Sequence, residues 1–350
     1  MNTFGRIFKL SIFGESHGEA IGVVLDGVPA GIALSKDDFI KDISRRKSGG
    51  KGTTPRIEAD EPHILSGIFN GHTTGAPLAI IFENTNTRSG DYSQFLSLPR
   101  PGHADLVAAQ KWNSFNDPRG GGHFSGRITL PIVAAGVVAK KMLDSIGIVN
   151  GSANLAPSVA GGVAGGVAPE ISAEVVQLGG LNDPNQWTKA LDKAAAEGDS
   201  LGAIVKCIVS NPPLSVGEPF FDSVESLLSH ALFSIPGVRG VEFGDGFSAS
   251  SMSGSEHNDP IVESSGKTLS NHSGGINGGI ANGNPLEFKV AFKPTSTINK
   301  NQSTLNLESG SIEELKGKGR HDLCFALRTP VIVEAMAAIV LADLSLVQTS

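Results

Sequence analysis

Histidine, serine and arginine recur beside glycine in several short stretches of this chain, and such side chains can transfer protons or bind anions. One stretch is Gly14–Gly18, GESHG, which contains Ser16 and His17, and another is Arg100–Asp105, RPGHAD, which contains His103. A histidine in such a turn can exchange protons near neutral pH. The sequence therefore indicates acid–base chemistry at a site built from loops.

Arginines in and near these stretches could hold a ligand that carries several negative charges. The planar guanidinium group bonds two carboxylate or phosphate oxygens at once, and glycine N–H groups and hydroxyls add neutral donors. The candidate anion-binding residues are Arg46, Arg100, Arg127 and Arg320. For any one of them, an ordinary surface ion pair is an equally good interpretation.

The overall charge of the chain favours a small ligand. The 350 residues have a formal net charge of −7, and an acidic protein is a poor candidate for nonspecific nucleic-acid binding. Cys207 and Cys324 lack the spacing of a disulfide scaffold or a zinc knuckle, and no histidine pattern typical of a metal site occurs. With no signal peptide recognised, we expect a cytoplasmic protein without a metal ion or a nucleic-acid partner.

A serine nucleophile is the main competing interpretation of GESHG. The motif matches G-x-S-x-G, the nucleophile elbow of α/β-hydrolases, which requires a strand, a strained turn and then a helix. The residues that follow, AIGVVLDGV, favour a strand instead. Partial matches to a phosphate-binding loop at 265–268 and to a dinucleotide fingerprint at 120–125 also lack required residues or context. We therefore treat a serine hydrolase as the weaker hypothesis.

The elements that must position these residues alternate irregularly along the chain. Strands are predicted at 6–13, 63–82, 202–210 and 286–292, and helices at 35–47, 104–115, 130–143, 183–197 and 223–234. This order favours an α+β fold, with mixed helices and mainly antiparallel sheets, over a doubly wound parallel sheet.

A last helix is predicted over 329–347, where the sequence is almost entirely apolar. Glu334 and Asp343 interrupt this stretch, and two carboxylates would be costly inside a membrane. We therefore expect the helix to be buried in the protein, with no membrane contact.

One domain, residues 1–350, is expected, because no change in composition is sharp enough to mark a second. Flexible segments are predicted near 48–53, 151–169 and 249–271, where glycine, serine and other small residues concentrate.

Taken together, the short motifs closely resemble those of the chorismate synthase family. They occur in that family's order and span nearly the whole chain. The motifs are GESHG, the double arginine Arg45-Arg46, RPGHAD, RGGGHFSGR, EGDSLG, GVEFGDGF, NHSGG-INGG, KPTST and GRHDLC. The combination is far more specific than any single motif.

The resemblance implies a single-domain β-α-β sandwich that assembles as a homotetramer. It also implies the last step of the shikimate pathway, in which 5-enolpyruvylshikimate 3-phosphate loses phosphate and a ring proton in a 1,4-anti elimination, giving chorismate. The family uses reduced FMN without net redox change, and NADPH is an expected reductant. A substrate with one phosphate and two carboxylates suits an arginine-lined site on an acidic protein.

The same resemblance assigns roles to individual residues. His17 would protonate the departing phosphate, with Ser16 beside it. His103 would control protonation at the flavin, Asp322 would act in removing the ring proton, and Ser125 is counted with these catalytic residues. Substrate anions would be held by Arg46, Arg100, Arg127 and Arg320. Flavin or nicotinamide contacts are implied for Arg46, Lys51, His123, Phe124, Ser125, Pro236, Gly237, Gly278, Lys293, Pro294, Thr295, Ser296, Thr297 and Arg320.

Two departures from the common family pattern bear on ligand affinity. After the three glycines many members read RSSARET, whereas this chain reads HFSGRIT, so that an arginine and a glutamate are replaced. Lys51 stands where arginine is common and offers a point charge instead of a two-pronged donor. Flavin affinity and substrate binding are therefore expected to differ in detail.

A noncatalytic binding protein on the same fold is the second alternative. It would bind flavin or a phosphorylated metabolite without turnover. Such a protein would have lost catalytic groups, yet His17, His103 and Asp322 are all present.

Overall fold

Two antiparallel sheets lie on either side of two long helices. The computed structural model describes residues 1–54, 58–86, 89–151, 167–317 and 321–349. The strands, in chain order, are β1 (Thr3–Phe4), β2 (Lys9–Gly14), β3 (Ala20–Asp26), β4 (His63–Ser66), β5 (Ile68–Phe69), β6 (His72–Thr73), β7 (Leu78–Glu83), β8 (Glu170–Leu178), β9 (Ala203–Ser210), β10 (Val238–Phe243), β11 (Ile276–Asn277), β12 (Ile280–Ala281), β13 (Leu286–Phe292), β14 (Asn301–Leu305) and β15 (Ile312–Lys316). The α-helices are α1 (Ile40–Arg46), α2 (Asp105–Lys111), α3 (Thr129–Gly151), α4 (Pro184–Glu197), α5 (Val224–Phe233), α6 (Gly254–His257) and α7 (Pro330–Thr349).

The layers follow in the order sheet, helix, helix, sheet. The first sheet has the strand order β1-β2-β3-β7-β4 and the second has β10-β13-β9-β8, and neighbouring strands in both are antiparallel. Helix α3 packs on β3 and β7, α7 packs on β8 and β9, and the two helices pack on each other. This arrangement confirms the predicted α+β class.

The core lies between the sheets and these two helices. In β9 and β13 alternate residues are buried, as the two-residue period of a strand requires. Gly136 lets α3 approach α7 closely, because a Cβ there would lie 2.3 Å from the Cβ of Ala335. The small residues of α3 therefore set the spacing within the helical layer.

The two carboxylates of α7 are buried, and each accepts hydrogen bonds from a distant segment. Residues 331–345 of this helix are buried, and although its length and composition would suit a membrane span, 83% of its most apolar window is buried inside the protein. Asp343 accepts hydrogen bonds from the backbone N–H groups of residues 6–8 at 2.8–2.9 Å. Glu334 accepts two hydrogen bonds from the Arg45 guanidinium, at 2.6 and 2.7 Å. Because a buried carboxylate needs such donors, both residues tie distant segments to the central helix.

Helix α1 ends at the functional site. It follows a 3₁₀ turn, Lys36–Phe39, at which the Asp38 carboxylate accepts hydrogen bonds from the N–H and hydroxyl of Ser35 at 2.7 and 3.1 Å. This cap agrees with the helix start predicted at residue 35. At the other end, Arg45 is held by Glu334, and the next residue, Arg46, lines a cavity.

GESHG connects two antiparallel strands. Strands β2 and β3 pair directly, with Gly14 opposite Ile21, so a strand follows the turn. The strand–turn–helix context that a nucleophile elbow requires is therefore missing. The serine-hydrolase interpretation of this motif is wrong.

Some elements differ from the sequence-based expectations. Strand β8 and the β14–β15 hairpin were not predicted, because their residues are mostly polar or only partly buried. Helix α3 continues to Gly151, beyond the predicted end at residue 143. Segment 249–271 contains α6 and a short β-bridge, although most of its side chains are exposed. Most of segment 151–169 lies outside the described residues.

Candidate active site

A cavity of about 540 Å³ lies where loops from both halves of the chain meet. Among the described residues, seven cationic side chains line it: Arg46, Lys47, Arg100, Arg127, Arg239, Lys293 and Arg328. The carboxylates that line it within the same part of the chain are Glu58, Asp60 and Asp322. So strong a local excess of positive charge, on a chain with a net charge of −7, indicates an anionic ligand.

Three consecutive glycines bring the GESHG turn to the wall of this cavity. Gly120, Gly121 and Gly122 all have positive φ, at 63°, 81° and 55°. The Ser16 N–H donates to the Gly122 carbonyl at 3.1 Å. A Cβ at Gly120 would lie 2.5 Å from the His17 ring and 2.8 Å from the Ser16 hydroxyl. Only glycine fits this position, because of both its backbone conformation and the lack of space.

His17 lies behind the cavity wall, next to Gly120. The residue is 7% exposed, and its ring packs in a T-shaped arrangement with the Tyr92 ring, with centroids 5.3 Å apart. The lining itself includes Gly120 but not His17 or Ser16. The Ser16 hydroxyl is buried and has no hydrogen-bond partner among the described residues.

His103 faces the same glycine turn from inside the cavity. A Cβ at Gly121 would be 3.6 Å from its Nε2. The Nδ1 atom of His103 lies 2.6 Å from the Asp105 carboxylate, which also accepts two hydrogen bonds from the Arg100 guanidinium at 2.7 Å. An ionised carboxylate can only accept a hydrogen bond, so Asp105 keeps the proton of the neutral His103 ring on Nδ1. The other ring nitrogen, Nε2, is then the atom that can exchange protons.

Burial lowers the pKa of His103, with the nearby charges of Arg100 and Lys293 adding to this effect and Asp105 opposing it. For Asp105, burial acts to raise the pKa, but the hydrogen bonds from Arg100 and His103 outweigh it and leave the pKa well below its usual range. The ligand-free site therefore holds a neutral imidazole next to an ionised carboxylate near neutral pH.

We expect Asp105→Asn to lower the pKa of His103 further, because the anionic hydrogen-bond acceptor is lost while the charge of Arg100 remains. Inorganic phosphate bound in the cavity should raise the pKa of His103 in the wild type, since a nearby anion favours the imidazolium form. Titration of the His103 ring signals by NMR measures both shifts, and His72, an exposed ring, serves as the internal control. A His103 pKa at or above the usual 6.5 in the ligand-free protein would contradict this assignment.

Arg46 and Arg127 share one carboxylate at the bottom of the site. Asp60 accepts from Arg127 Nη1 at 2.6 Å and from Arg46 Nη2 at 3.0 Å, and all three side chains are at most 6% exposed. Burial lowers the pKa of Arg46 to about 10, with Asp60 opposing and the charges of Arg328 and Arg127 contributing. Burial would raise the pKa of Asp60, but the two arginines lower it overall. Arg46 and Asp60 are therefore both charged at neutral pH.

Asp322 lies on another wall of the cavity. One carboxylate oxygen accepts from the Thr54 backbone N–H at 2.8 Å and the other from Arg328 at 2.7 Å. Arg320, the remaining arginine expected to bind anions, lies outside the described residues. The structure thus brings Asp322, His103 and the predicted arginines it describes to one cavity, with His17 beside it.

Most residues expected to contact flavin also line the cavity. They are Phe124, Ser125, Pro236, Gly237, Lys293, Pro294, Thr295, Ser296 and Thr297. Lys293 donates to the Gly102 carbonyl and to the Ser296 hydroxyl, both at 2.6 Å, which joins the KPTST turn to RPGHAD.

Three expected ligand contacts lie elsewhere in the structure. Lys51 forms a half-exposed ion pair at 2.7 Å with Asp192 of α4. His123 donates from Nδ1 to the Gly14 carbonyl at 2.8 Å, on the GESHG side of the glycine turn. Gly278 lies in the turn between β11 and β12. None of the three belongs to the cavity lining.

Several residues of the site were missed by the sequence analysis. Asp60, Asp105 and Arg328 each pair with a predicted site residue, and Arg239 is an exposed cation in the lining. Asp105 stands within RPGHAD, so the motif itself contained the signal. Asp60, Arg328 and Arg239 stand in no sequence motif that marks them as site residues. For Asp60, only the general need of buried guanidinium groups for a counter-ion could have suggested such a residue.

Comparisons with known proteins agree on one family. The family model described as "Chorismate synthase" matches residues 8–346. Similar proteins named "Chorismate synthase" include one from Chitinophaga pinensis, 54% identical over 99% of this chain and 97% of that protein, and one from Pyrococcus abyssi, 42% identical over 97% of this chain and 96% of that protein. A solved structure, "Crystal Structure of Chorismate Synthase", matches with a TM-score of 0.70 over 98% of this chain and 93% of that chain, at 24% identity, which supports the fold.

Proposed function

The chain belongs to the chorismate synthase family, and from this premise we propose how its cavity binds substrate and cofactor and which residues move protons. The reaction is the 1,4-anti elimination of phosphate from 5-enolpyruvylshikimate 3-phosphate, which gives chorismate, so the enzyme is a carbon–oxygen lyase acting on phosphates. The observation that carries the proposal is the collection of guanidinium groups in one cavity of an acidic chain.

The charge of the cavity suits this substrate, which has one phosphate and two carboxylates. Asp60 and Asp105 hold three of the arginines in fixed positions before any ligand binds. Guanidinium groups that are already oriented need little rearrangement when an anion arrives, which favours tight and specific binding. We therefore assign substrate binding to Arg46, Arg100 and Arg127, and keep Arg320 as a prediction from the sequence.

Three residues are proposed to donate, accept or exchange protons. His17 donates one to the departing phosphate, from its place beside Gly120. Asp322 is held on both carboxylate oxygens by donors, so it is fixed in position to accept the ring proton. His103 has its proton on Nδ1 fixed by Asp105 and exchanges protons at Nε2.

The lining fits a flat cofactor such as FMN. The Thr295 hydroxyl is buried without a hydrogen-bond partner among the described residues, and Gly237 leaves space because a Cβ there would meet no atom closer than 3.9 Å. Phe124, Phe325 and Pro294 supply an apolar surface next to these polar groups. When bound, reduced FMN would supply electron density that stabilises charge while phosphate leaves. The residues proposed to hold it are Phe124, Ser125, Pro236, Gly237 and Lys293 to Thr297.

NADPH as reductant, a homotetramer and a cytoplasmic location complete the proposal. Phe220, Phe221 and Phe247 are 84–90% exposed, and burial of such rings against further copies of the chain would support a tetramer. Two buried free thiols, Cys207 and Cys324, are compatible with a reducing compartment. Partners of nucleic acid or membrane type form no part of the proposal.

Anaerobic incubation of the protein with 5-enolpyruvylshikimate 3-phosphate and reduced FMN tests the function. We expect chorismate and inorganic phosphate to appear in equal amounts, and neither to appear when reduced FMN is omitted. Product formation without flavin would contradict the cofactor assignment. Binding of both compounds without any turnover would instead support the noncatalytic alternative.

A further inference from the structure

Arg328 is an almost buried arginine of the cavity that the function described above does not use. It ends the 3₁₀ turn Phe325–Arg328, two residues before the start of α7, and its side chain is 13% exposed. Its Nη2 donates to Asp322 at 2.7 Å, and its guanidinium carbon lies 5.5 Å from the centroid of the Phe325 ring. These contacts fix the plane of the guanidinium group and leave part of it free.

The Nε atom of Arg328 is buried and has no hydrogen-bond partner among the described residues. The same is true of Nε in Arg46, and both side chains line the cavity. A buried donor without an acceptor is unfavourable, so two of them in one cavity point to a ligand that supplies the acceptor.

The two arginines are also close enough to repel each other. The charge of Arg328 contributes to lowering the pKa of Arg46, after the larger effect of burial. Each has its own carboxylate, Asp322 for Arg328 and Asp60 for Arg46, but neither carboxylate accepts from both. An anion bound by both Nε donors would relieve the repulsion and satisfy the two groups at once.

We propose that Arg328 and Arg46 together bind an anionic oxygen of the substrate, while Nη2 of Arg328 continues to donate its hydrogen bond to Asp322. The inference rests on the proposed function, because it assigns Arg328 to the substrate of that same cavity. The ligand group is a carboxylate or a phosphate, both of which suit a guanidinium. One side chain would then contact both the substrate and the proposed proton acceptor, so that substrate binding fixes their relative position.

The test compares substrate affinity in the wild type, Arg328→Met and Arg328→Lys by calorimetry in the presence of oxidised FMN. Loss of a charged hydrogen bond should weaken binding of 5-enolpyruvylshikimate 3-phosphate about 10- to 100-fold in the methionine variant, with partial recovery in the lysine variant. Lys193→Met, which removes a charge from an exposed side chain of α4, is the matched control and should bind as the wild type does. Affinity for FMN alone and the melting temperature should change little in Arg328→Met if the role is direct.

Chemical rescue separates direct binding from a structural role. In an Arg328→Ala variant, added guanidinium ion at low millimolar concentration should restore part of the substrate affinity, whereas sodium at equal ionic strength should not. Binding of chorismate, which has carboxylates but no phosphate, identifies the anion: equal weakening for substrate and chorismate indicates a carboxylate, and weakening for the substrate alone indicates the phosphate.

Unchanged substrate affinity in Arg328→Met, in a protein that melts as the wild type does, would overturn the inference. So would a loss of substrate affinity matched by an equal loss of FMN affinity and not recovered by guanidinium, since this pattern indicates general damage to the cavity. If the wild type formed no chorismate but Arg328→Met still weakened substrate binding, the proposed activity would fail and the role of Arg328 would stand.

Discussion

Replacing His17 with alanine is expected to lower the turnover number about 10²- to 10⁴-fold, which is the usual contribution of a positioned general acid. Binding of FMN and substrate should change little, because His17 lies behind Gly120 and outside the cavity lining. The leaving group is a phosphate, which departs far more easily when it is protonated. Loss of the donor should therefore appear in turnover and not in affinity.

The measurement is chorismate formation with reduced FMN under anaerobic conditions, with affinities determined separately by titration. His72→Ala is the matched control, because His72 is an exposed histidine at the start of β6 whose Nδ1 atom bonds only the nearby Asn70 carbonyl among the contacts the structure describes. Full turnover in His17→Ala would show that the proton comes from another group.

A second variant tests the placement of His17 without removing it. A methyl group at Gly120 would lie 2.5 Å from the ring, so Gly120→Ala should displace His17 and reduce turnover as well. Alanine at Gly71 provides the control, because that glycine also has a positive φ, 74°, but a Cβ there would meet nothing within 4 Å. Equal effects of the two glycine variants would point to backbone strain and not to the position of the ring.

Local motifs located much of the site because each motif folds as one turn. RPGHAD and the triple glycine place their own residues, and the pairing of β2 with β3 places GESHG against them. Pairing between distant segments is not visible in such motifs. Lys51 stays a predicted ligand contact, and in the structure it forms an ion pair with Asp192, 141 residues away, that no local pattern reveals.

The fold class followed from the order of strands and helices, whereas individual elements were missed where burial is weak. Strand β8 is largely half-buried, and β14 and β15 expose most of their residues, so their sequences lack the apolar alternation on which strand prediction depends. Tertiary pairing, in this case with β9 for β8 and between β14 and β15, supplies the hydrogen bonds that define them.

Asp60 shows most clearly what the sequence alone could not provide. It lies 14 residues from Arg46 and 67 from Arg127, yet it bonds both guanidinium groups inside the protein. A cluster of arginines predicted from motifs implies a buried counter-ion, because two unpaired buried cations would be very costly. Which of the 35 acidic residues fills this role depends on the packing of α1 against α3 and α7.

We expect Asp60→Asn to lower the free energy of unfolding by about 3 to 5 kcal/mol at pH 7, the usual cost of removing one partner from a buried ion pair. Asparagine keeps the volume but leaves two guanidinium groups, each at most 6% exposed, without a shared anion. Asp192→Asn removes the same charge from an exposed pair and should cost about 1 kcal/mol or less.

The stabilisation by Asp60 should also depend on pH. Because the pKa of Asp60 is lowered in the folded state, its contribution to the free energy of unfolding is present above the pKa of an unfolded aspartate, near 3.9, and is lost as pH falls through the lower folded value. Denaturant titrations at pH 7 and pH 3 should therefore show the difference from the wild type shrinking in acid, and inorganic phosphate should raise the melting temperature of Asp60→Asn more than that of the wild type. A variant within 1 kcal/mol of the wild type at pH 7 would mean that Asp60 does not balance the charge of the two arginines.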